Sequence, residues 1–161
     1  MFPKMRRYKQ LLSEAECIAI LEKGSCGVLA LTGENGYPYA LPLSYVYHEG
    51  KIIFHGATEG YKVQCLRHCD KASFCVVDQD EVIAEKYTTH YRSVIAFGKV
   101  KMLTDFGEEM IRHMMPLAAK YRPEGTDAMH RTAIDNEKTG LCVLVMEIEH
   151  LTGKQAIELC K

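Results

Sequence analysis

Between Tyr37 and Tyr47 the chain alternates in a way that admits one local structure. Tyr39, Leu41, Leu43, Tyr45 and Tyr47 fall on one face, and Ala40, Pro42, Ser44 and Val46 on the other. A period of two is that of a β-strand with one face buried. Pro42 cannot donate to a ladder, so this strand belongs at a sheet edge or a bulge. Turn signals bracket it. Glu34-Asn35-Gly36 predicts a hairpin of type I′, and His48-Glu49-Gly50 predicts a second turn. The run Cys26–Leu31 before it is continuously apolar, which predicts a strand buried on both faces. Lys51–His55 after it is the third strand of an antiparallel meander.

The rest of the chain mixes strands and helices. Ser13 and Glu16 form a capping box for a helix over about 14–23, with Ala15, Ile18 and Leu21 as its apolar stripe and Gly24 as its stop. A second helix is expected from about Glu59 to Cys69, with Val63, Cys65 and Leu66 inward. A strand over Ala72–Val77 follows, then a solvated acidic turn at Asp78-Gln79-Asp80-Glu81. Thr88–Leu103 is predicted as one long strand. Phe106–Tyr121 has helical spacing at Met110, His113, Met114, Leu117 and Tyr121, with Pro116 expected to kink or split it. A short helix at 127–134 and a last strand over Leu141–Ile148 complete the order. That order is neither alternating βαβ nor all-β. It fits a single mainly β domain over 1–161, a barrel or strongly coiled sheet with helices at its ends.

Composition narrows the class. A chain of 161 residues with net charge -1 gives no electrostatic reason to bind nucleic acid or an anionic membrane surface. No apolar run is long enough to span a bilayer. Lys4, Arg6 and Arg7 resemble the basic start of a signal peptide. Lys9, Gln10, Ser13, Glu14 and Glu16 then interrupt any apolar core, so a cytoplasmic protein is expected. The seven cysteines are odd in number and mostly set in apolar segments, as in a reducing compartment.

Three segments can carry chemistry. A strand ends at His55-Gly56-Ala57, and Thr58 is a natural N-cap for the helix that follows. Gly60 and Lys62 then fall in its first turn. The glycine costs about 1 kcal/mol relative to alanine. The lysine opposes the helix dipole by roughly 0.3–1 kcal/mol. An anion on that N-terminus, phosphate foremost, would account for both, since glycine permits close approach and lysine pairs with it. The second segment is Tyr91–Gly98, where Arg92 and Ser93 interrupt an apolar strand and must point to opposite faces. The third is the edge around Pro42, against which a flat aromatic ligand could lie. Cys65, His68 and Cys69 with Cys75 are candidate metal ligands, but core cysteines beside a surface histidine explain them better, and no metal is expected. His90, His113, His130 and His150 read as surface or partly packed histidines.

Taken in order, Tyr37–Tyr45, Gly50–Ala57, Lys62 and Arg92–Gly98 resemble the pyridoxamine-5′-phosphate-oxidase-like flavin-binding split barrels, and within them the nitroimidazole-resistance (Nim) group. The resemblance runs from Met5-Arg6-Arg7 to Leu151-Thr152-Gly153-Lys154. It implies a six-stranded antiparallel split β-barrel with flanking helices, forming a homodimer with FMN at two equivalent interface sites. Lys62 would hold the phosphate. His55, Gly56 and Ala57 would line the phosphate and ribityl end. Leu43, Ser44 and Tyr45 would edge the isoalloxazine, and Arg92, Ser93 and Val94 would approach from the long strand.

The activity so implied is an FMN-dependent oxidoreductase acting on a small, flat acceptor such as a nitroaromatic, with no catalytic side chain assigned. His55 reads as a binding residue. The basic pattern that grips pyridoxal phosphate in the oxidases proper is not found before Lys161, so vitamin B6 oxidation is not expected. Two alternatives stand beside this reading. One is a flavin-binding protein for storage or sensing without turnover. The other is a haem-binding barrel with a histidine such as His55 as axial ligand.

Overall fold

Ser13 caps the first helix as its sequence predicts, in a computed structural model that describes residues 2–160. The Ser13 side chain accepts the Glu16 N–H at 3.3 Å, and the Glu16 carboxylate accepts the Ser13 N–H at 2.7 Å. Helix α1 (Glu14–Lys23) buries Cys17, Ile20 and Leu21. Ala15 is exposed and Ile18 only half-buried, so the expected stripe is wrong in two of its three residues. Cys17 is drawn inward because it packs on Gly153, where a Cβ would collide with its sulfur.

Seven strands follow in chain order: β1 (Cys26–Thr32), β2 (Pro38–Ser44), β3 (Val46–His48), β4 (Lys51–Ala57), β5 (Lys71–Ile83), β6 (Thr88–Leu103) and β7 (Leu141–Gln155). The helices between them are α2 (Tyr61–His68), α3 (Glu108–Tyr121) and α4 (Asp127–Asn136). The strands form one sheet in the order β2-β1-β5-β6-β7-β4-β3, with every pairing antiparallel. The two edge strands, β2 and β3, are therefore consecutive in sequence and joined by Tyr45 alone. The alternating segment is not one strand. It bends at Tyr45 and passes from one edge of the coiled sheet to the other. This break makes seven strands where six were expected, and the ring of hydrogen bonds stays open between the edges. Pro42 lies on edge strand β2, as its missing donor requires.

Burial explains several other departures. β1 alternates, with Gly27, Leu29 and Leu31 inward and Val28 exposed. The strand covered on both faces is instead β7, whose residues Leu141–Met146 are all buried. On one side, Leu144 and Met146 join Leu29, Phe54, Phe74 and Val94 in the barrel interior. On the other, Val143 and Val145 join Ile53 of β4 beneath Met110, Ile111, Met114 and Leu117 of α3 and Ile134 of α4. A continuous apolar run therefore marks two covering layers, and which run has them is decided by where the helices pack. Helix α3 runs unbroken across Pro116. His130 of α4 is buried rather than partly packed.

The turns differ too. In the first hairpin only Gly36 has positive φ (80°), while the Asn35 side chain accepts the Tyr37 N–H at 3.1 Å. The pair with two positive φ values is Glu49 (48°) and Gly50 (76°), the type I′ pattern. The acidic stretch 78–81 is no turn. β5 continues through it against β6, with a bulge between Val77 and Gln79. The bulged Asp78 has a side chain only 10% exposed, held by Lys23 at 3.0 Å and Arg92 at 3.4 Å.

The end of α3 fastens the bend between the edges. Tyr45 is fully buried, donates its hydroxyl to the Leu21 carbonyl at 2.8 Å, and sets its ring edge-on to Phe74. Its N–H is accepted by the Tyr121 hydroxyl at 3.0 Å, and the same hydroxyl reaches the Tyr45 carbonyl at 3.0 Å and the Ser25 carbonyl. Lys120 donates to the Gly24 carbonyl and lies 4.4 Å from the Tyr45 ring centroid. Tyr121→Phe leaves these backbone groups short of a partner, so a loss of about 1–3 kcal/mol is expected in urea unfolding. An unchanged midpoint would show that water replaces the hydroxyl.

Burial, with smaller help from Glu16 and Glu14, pushes the Cys17 thiol from 9.0 to about 11. Between those values the unfolded thiol has lost its proton and the folded one has kept it. Stability should therefore fall as pH rises from about 9 to about 11. Cys17→Ala should flatten that part of a stability–pH profile, and a profile as steep as wild type would refute the assignment.

Candidate functional site at the end of strand β4

β4 presents its last residues to opposite sides. Phe54 fills the barrel interior while Ile53 packs beneath α3. By alternation, His55 and Ala57 lie on the outer face, both exposed, and Gly56 on the inner side. Gly56 pairs with Cys142 of β7. Lys62 folds back from α2 over Gly56, and a methyl group there would collide with its ammonium nitrogen. Lys62 forms no ion pair or hydrogen bond with any described residue. Its charge and that of Arg67 partly offset the burial that raises the Cys142 thiol. Two cations thus stand near one buried strand pair.

The helix start is not where the sequence suggests. The N-cap of α2 is Gly60, not Thr58, and no side chain caps it. Gly60 has φ 110°, a conformation open to glycine, so it lies outside the helix and its cost there does not arise. Thr58 instead gives its N–H to the Gly140 carbonyl at 3.1 Å. That bond ties the strand end to the α4–β7 connection. Glu137, Thr139, Gly140 and Leu141 line a cavity of about 310 Å³ with His55, Gly56 and Ala57. An open helix N-terminus, a glycine that admits close approach and an unpaired ammonium together can hold a dianion.

The remaining expected site residues divide. The β3–β4 register pairs Val46 with Ile53; carried backward, it would set Ser44 opposite His55 and Leu43 opposite Gly56. At that point the chain has left β4, and Leu43 and Ser44 pair with Gly27 and Cys26 of β1. The split in the sheet opens here, so Leu43 and Ser44 form one lip and His55 and Gly56 the other. Tyr45 is in the core with its hydroxyl engaged, so its side chain is not on the lip.

Arg92, Ser93 and Val94 are not brought to this end of the chain. They pair with Gln155, Lys154 and Gly153, while Gly56 pairs with Cys142, nearly the length of β7 away. Val94 is fully buried, and Arg92 on the same face meets Asp78 beside α1. Ser93 shares the outer face with Val77, Cys75 and Ile95.

Arg67 and the wall at 137–141 were not legible in the sequence. Arg67 is five positions from Lys62, off the spacing that marks a shared helix face, and the wall reaches the site only through tertiary pairing. Among the described residues, no three His, Cys, Asp or Glu side chains gather to hold a metal ion. No described helix is long and apolar enough to cross a membrane.

A coiled antiparallel sheet whose edges are consecutive strands, flanked by helices, defines a split β-barrel protein. The chain belongs to the pyridoxamine 5′-phosphate oxidase family, whose sequence model matches residues 13–155. No curated protein matches the sequence. Solved structures that share the fold include three that align over most of this chain. A conserved hypothetical protein of Mycobacterium tuberculosis is 20% identical, with TM-score 0.80 over 94% of this chain and 90% of that one. A candidate 5-nitroimidazole antibiotic resistance protein of Bacteroides thetaiotaomicron is 19% identical, with TM-score 0.69 over 90% and 86%. A FAD- and haem-binding protein of Mycobacterium smegmatis is 20% identical, with TM-score 0.74 over 92% and 73%.

Gly56→Ala should displace the Lys62 ammonium and weaken capture of a phosphorylated ligand here by about tenfold, with the melting temperature little changed. Equal affinity in both proteins would show that the glycine serves packing alone.

Proposed function

We propose that this protein is an FMN-dependent oxidoreductase, working as a homodimer in the cytoplasm and passing electrons to a small, flat acceptor such as a nitroaromatic. The observation that carries the reading is the unpaired Lys62 ammonium over Gly56, beside the uncapped start of α2. These residues fit the terminal phosphate of FMN. Lys62 would neutralise the phosphate, and the free N–H groups of the first turn would donate to it. His55, Gly56 and Ala57 would border the ribityl chain, and Leu43 and Ser44 across the split would edge the ring, with Tyr45 supporting that lip from the core. The flavin, when bound, supplies the redox chemistry; the protein positions it and excludes water.

A second copy would complete the pocket. Val28 (41% exposed) and Val77 (62% exposed) lie on the outer face of β1 and β5, with half-buried Cys75, Ile95 and Phe97 around them. Ser93 stands in that strip, so the partner's strand would bring it to the flavin, and Arg92 and Val94 would hold it in place from the inner face. All seven cysteines are free, which suits a reducing compartment.

The test is the absorbance spectrum of the purified protein with added FMN, alongside size-exclusion chromatography. A flavin spectrum co-eluting at dimer size, reduced by a nicotinamide donor and reoxidised by a nitroaromatic, supports the reading. Flavin that binds but does not turn over would make this a storage or sensing protein, and a Soret band would make it a haem protein. Lys62→Ala should weaken FMN binding by at least about tenfold; unchanged affinity would remove the phosphate role.

A further inference from the structure

Helix α2 carries Lys62, and its start is weakly fixed by its own residues. At eight residues it is too short to be stable without tertiary support. No side chain caps it, and Gly60 before it has φ 110° with open space where a Cβ would stand. Its buried residues, Val63, Cys65 and Leu66, anchor it only from the third position on. Of the two residues that open it, Lys62 has no hydrogen bond or ion pair with any described residue. The other, Tyr61, is held from outside the helix.

The turn between β1 and β2 does the holding. The Tyr61 hydroxyl donates to Asn35 Oδ1 at 3.2 Å. That oxygen is itself fixed, because it also accepts the Tyr37 N–H at 3.1 Å. Two backbone bonds close the turn, from the Gly33 N–H to the Tyr37 carbonyl at 3.0 Å and from the Gly36 N–H to the Gly33 carbonyl at 2.9 Å. A Cβ at Gly33 would collide with the Tyr61 hydroxyl and crowd Asn35 Oδ1. Gly33 has no positive φ, so a glycine there serves the close approach of the hydroxyl rather than the backbone of the turn. The Tyr61 ring stands edge-on to Tyr39 with centroids 4.9 Å apart, and Tyr39 packs against the barrel interior. Ring and hydroxyl together fix both the place of the first helical residue and its rotation about the helix axis.

We infer that Tyr61 is a positioning residue of the anion site, acting through Asn35 and Gly33 to set where Lys62 and the first-turn N–H groups stand over Gly56. Tyr61 and Lys62 are adjacent, so they share one stretch of backbone while their side chains leave it in different directions. Tyr61 faces the hairpin and Lys62 faces Gly56. A shift at the first is carried to the second, and a binding group works only when its support holds it in place. The inference rests on the reading of Lys62 as the holder of the FMN phosphate.

The experiment compares FMN with riboflavin, which lacks the phosphate, by fluorescence titration of the full chain. Tyr61→Phe keeps the ring on Tyr39 and removes only the hydroxyl. Its FMN affinity should fall about three- to tenfold, with riboflavin affinity as in wild type. Asn35→Ala should reproduce that selective loss, and Tyr61→Phe should add little in a Lys62→Ala background. In the flavin-free protein, the Val63 and Gln64 amides bond to the Gly60 carbonyl at 3.0 and 3.2 Å. Their hydrogen exchange should be about threefold faster or more in Tyr61→Phe. Unchanged exchange would overturn the inference, because the hydroxyl would not be holding the helix start. Equal losses for FMN and riboflavin would overturn it too, by making Tyr61 a merely structural residue. A preference for FMN that is lost in Lys62→Ala but kept in Tyr61→Phe sinks this inference alone. A wild-type protein with no such preference sinks the phosphate reading and this inference with it.

Discussion

The architecture turns on a single buried residue. Tyr45 is the only connection between β2 at one edge of the sheet and β3 at the other. At such a crossing the chain leaves one ladder before it joins the next, so its backbone polar groups need other partners. The Tyr121 hydroxyl supplies them, bonding both the N–H and the carbonyl of Tyr45. The Tyr45 ring meanwhile reaches inward to Phe74, and its own hydroxyl to the Leu21 carbonyl. One tyrosine thus links α1, α3 and the barrel interior, and a second satisfies the backbone that the crossing exposes.

The open lip at Leu43-Ser44 and His55-Gly56 is a consequence of the same crossing. Where β2 departs to pair with β1, β4 is left with a free side just before its end. Had the β3–β4 ladder continued, Leu43 and Ser44 would have closed the gap with backbone bonds. Instead the gap adjoins the ammonium of Lys62 and the uncapped α2 N-terminus. Features that cost stability in isolation, an unpaired charge and unfilled donors, therefore gather at one place. That concentration is what makes this end of the sheet the candidate site.

Charge placement separates this site from the ion network around Asp78. Arg92 looked like a ligand-facing cation because it interrupts an apolar strand. In the fold it meets a carboxylate created by the β5 bulge, and Lys23 completes the set. Lys62, singled out in the sequence by its place near a helix start, has no such partner among the described residues. The outer face that carries Ser93 stays apolar and uncovered by helices, whereas the outer face of β4 and β7 is roofed by α3 and α4. The two halves of the same sheet thus have different environments, one finished within the chain and one left open.

Local chemistry was sufficient for the elements themselves. The Ser13–Glu16 box, the inward Val63, Cys65 and Leu66 of α2, and the span of β6 follow from caps and periodicities that act over a few residues. The edge placement of β2 follows from Pro42, whereas the sequence tied Lys62 to an anion through Gly60, and only the fold brings Lys62 over Gly56 instead. What the sequence could not decide is anything that depends on a distant partner. Tyr45 lies in the same alternation as Leu43 and Tyr47, and only the competition between β1 and β4 for pairing makes it a corner. Asp78 reads as solvated until Lys23, 55 residues away, is brought beside it. Cys26–Leu31 and Leu141–Met146 have the same apolar look, yet only the second is roofed by helices, because burial of a strand's outer face is settled by which element packs on it. Periodicity specifies a residue's side of its own element; only tertiary structure decides what stands opposite.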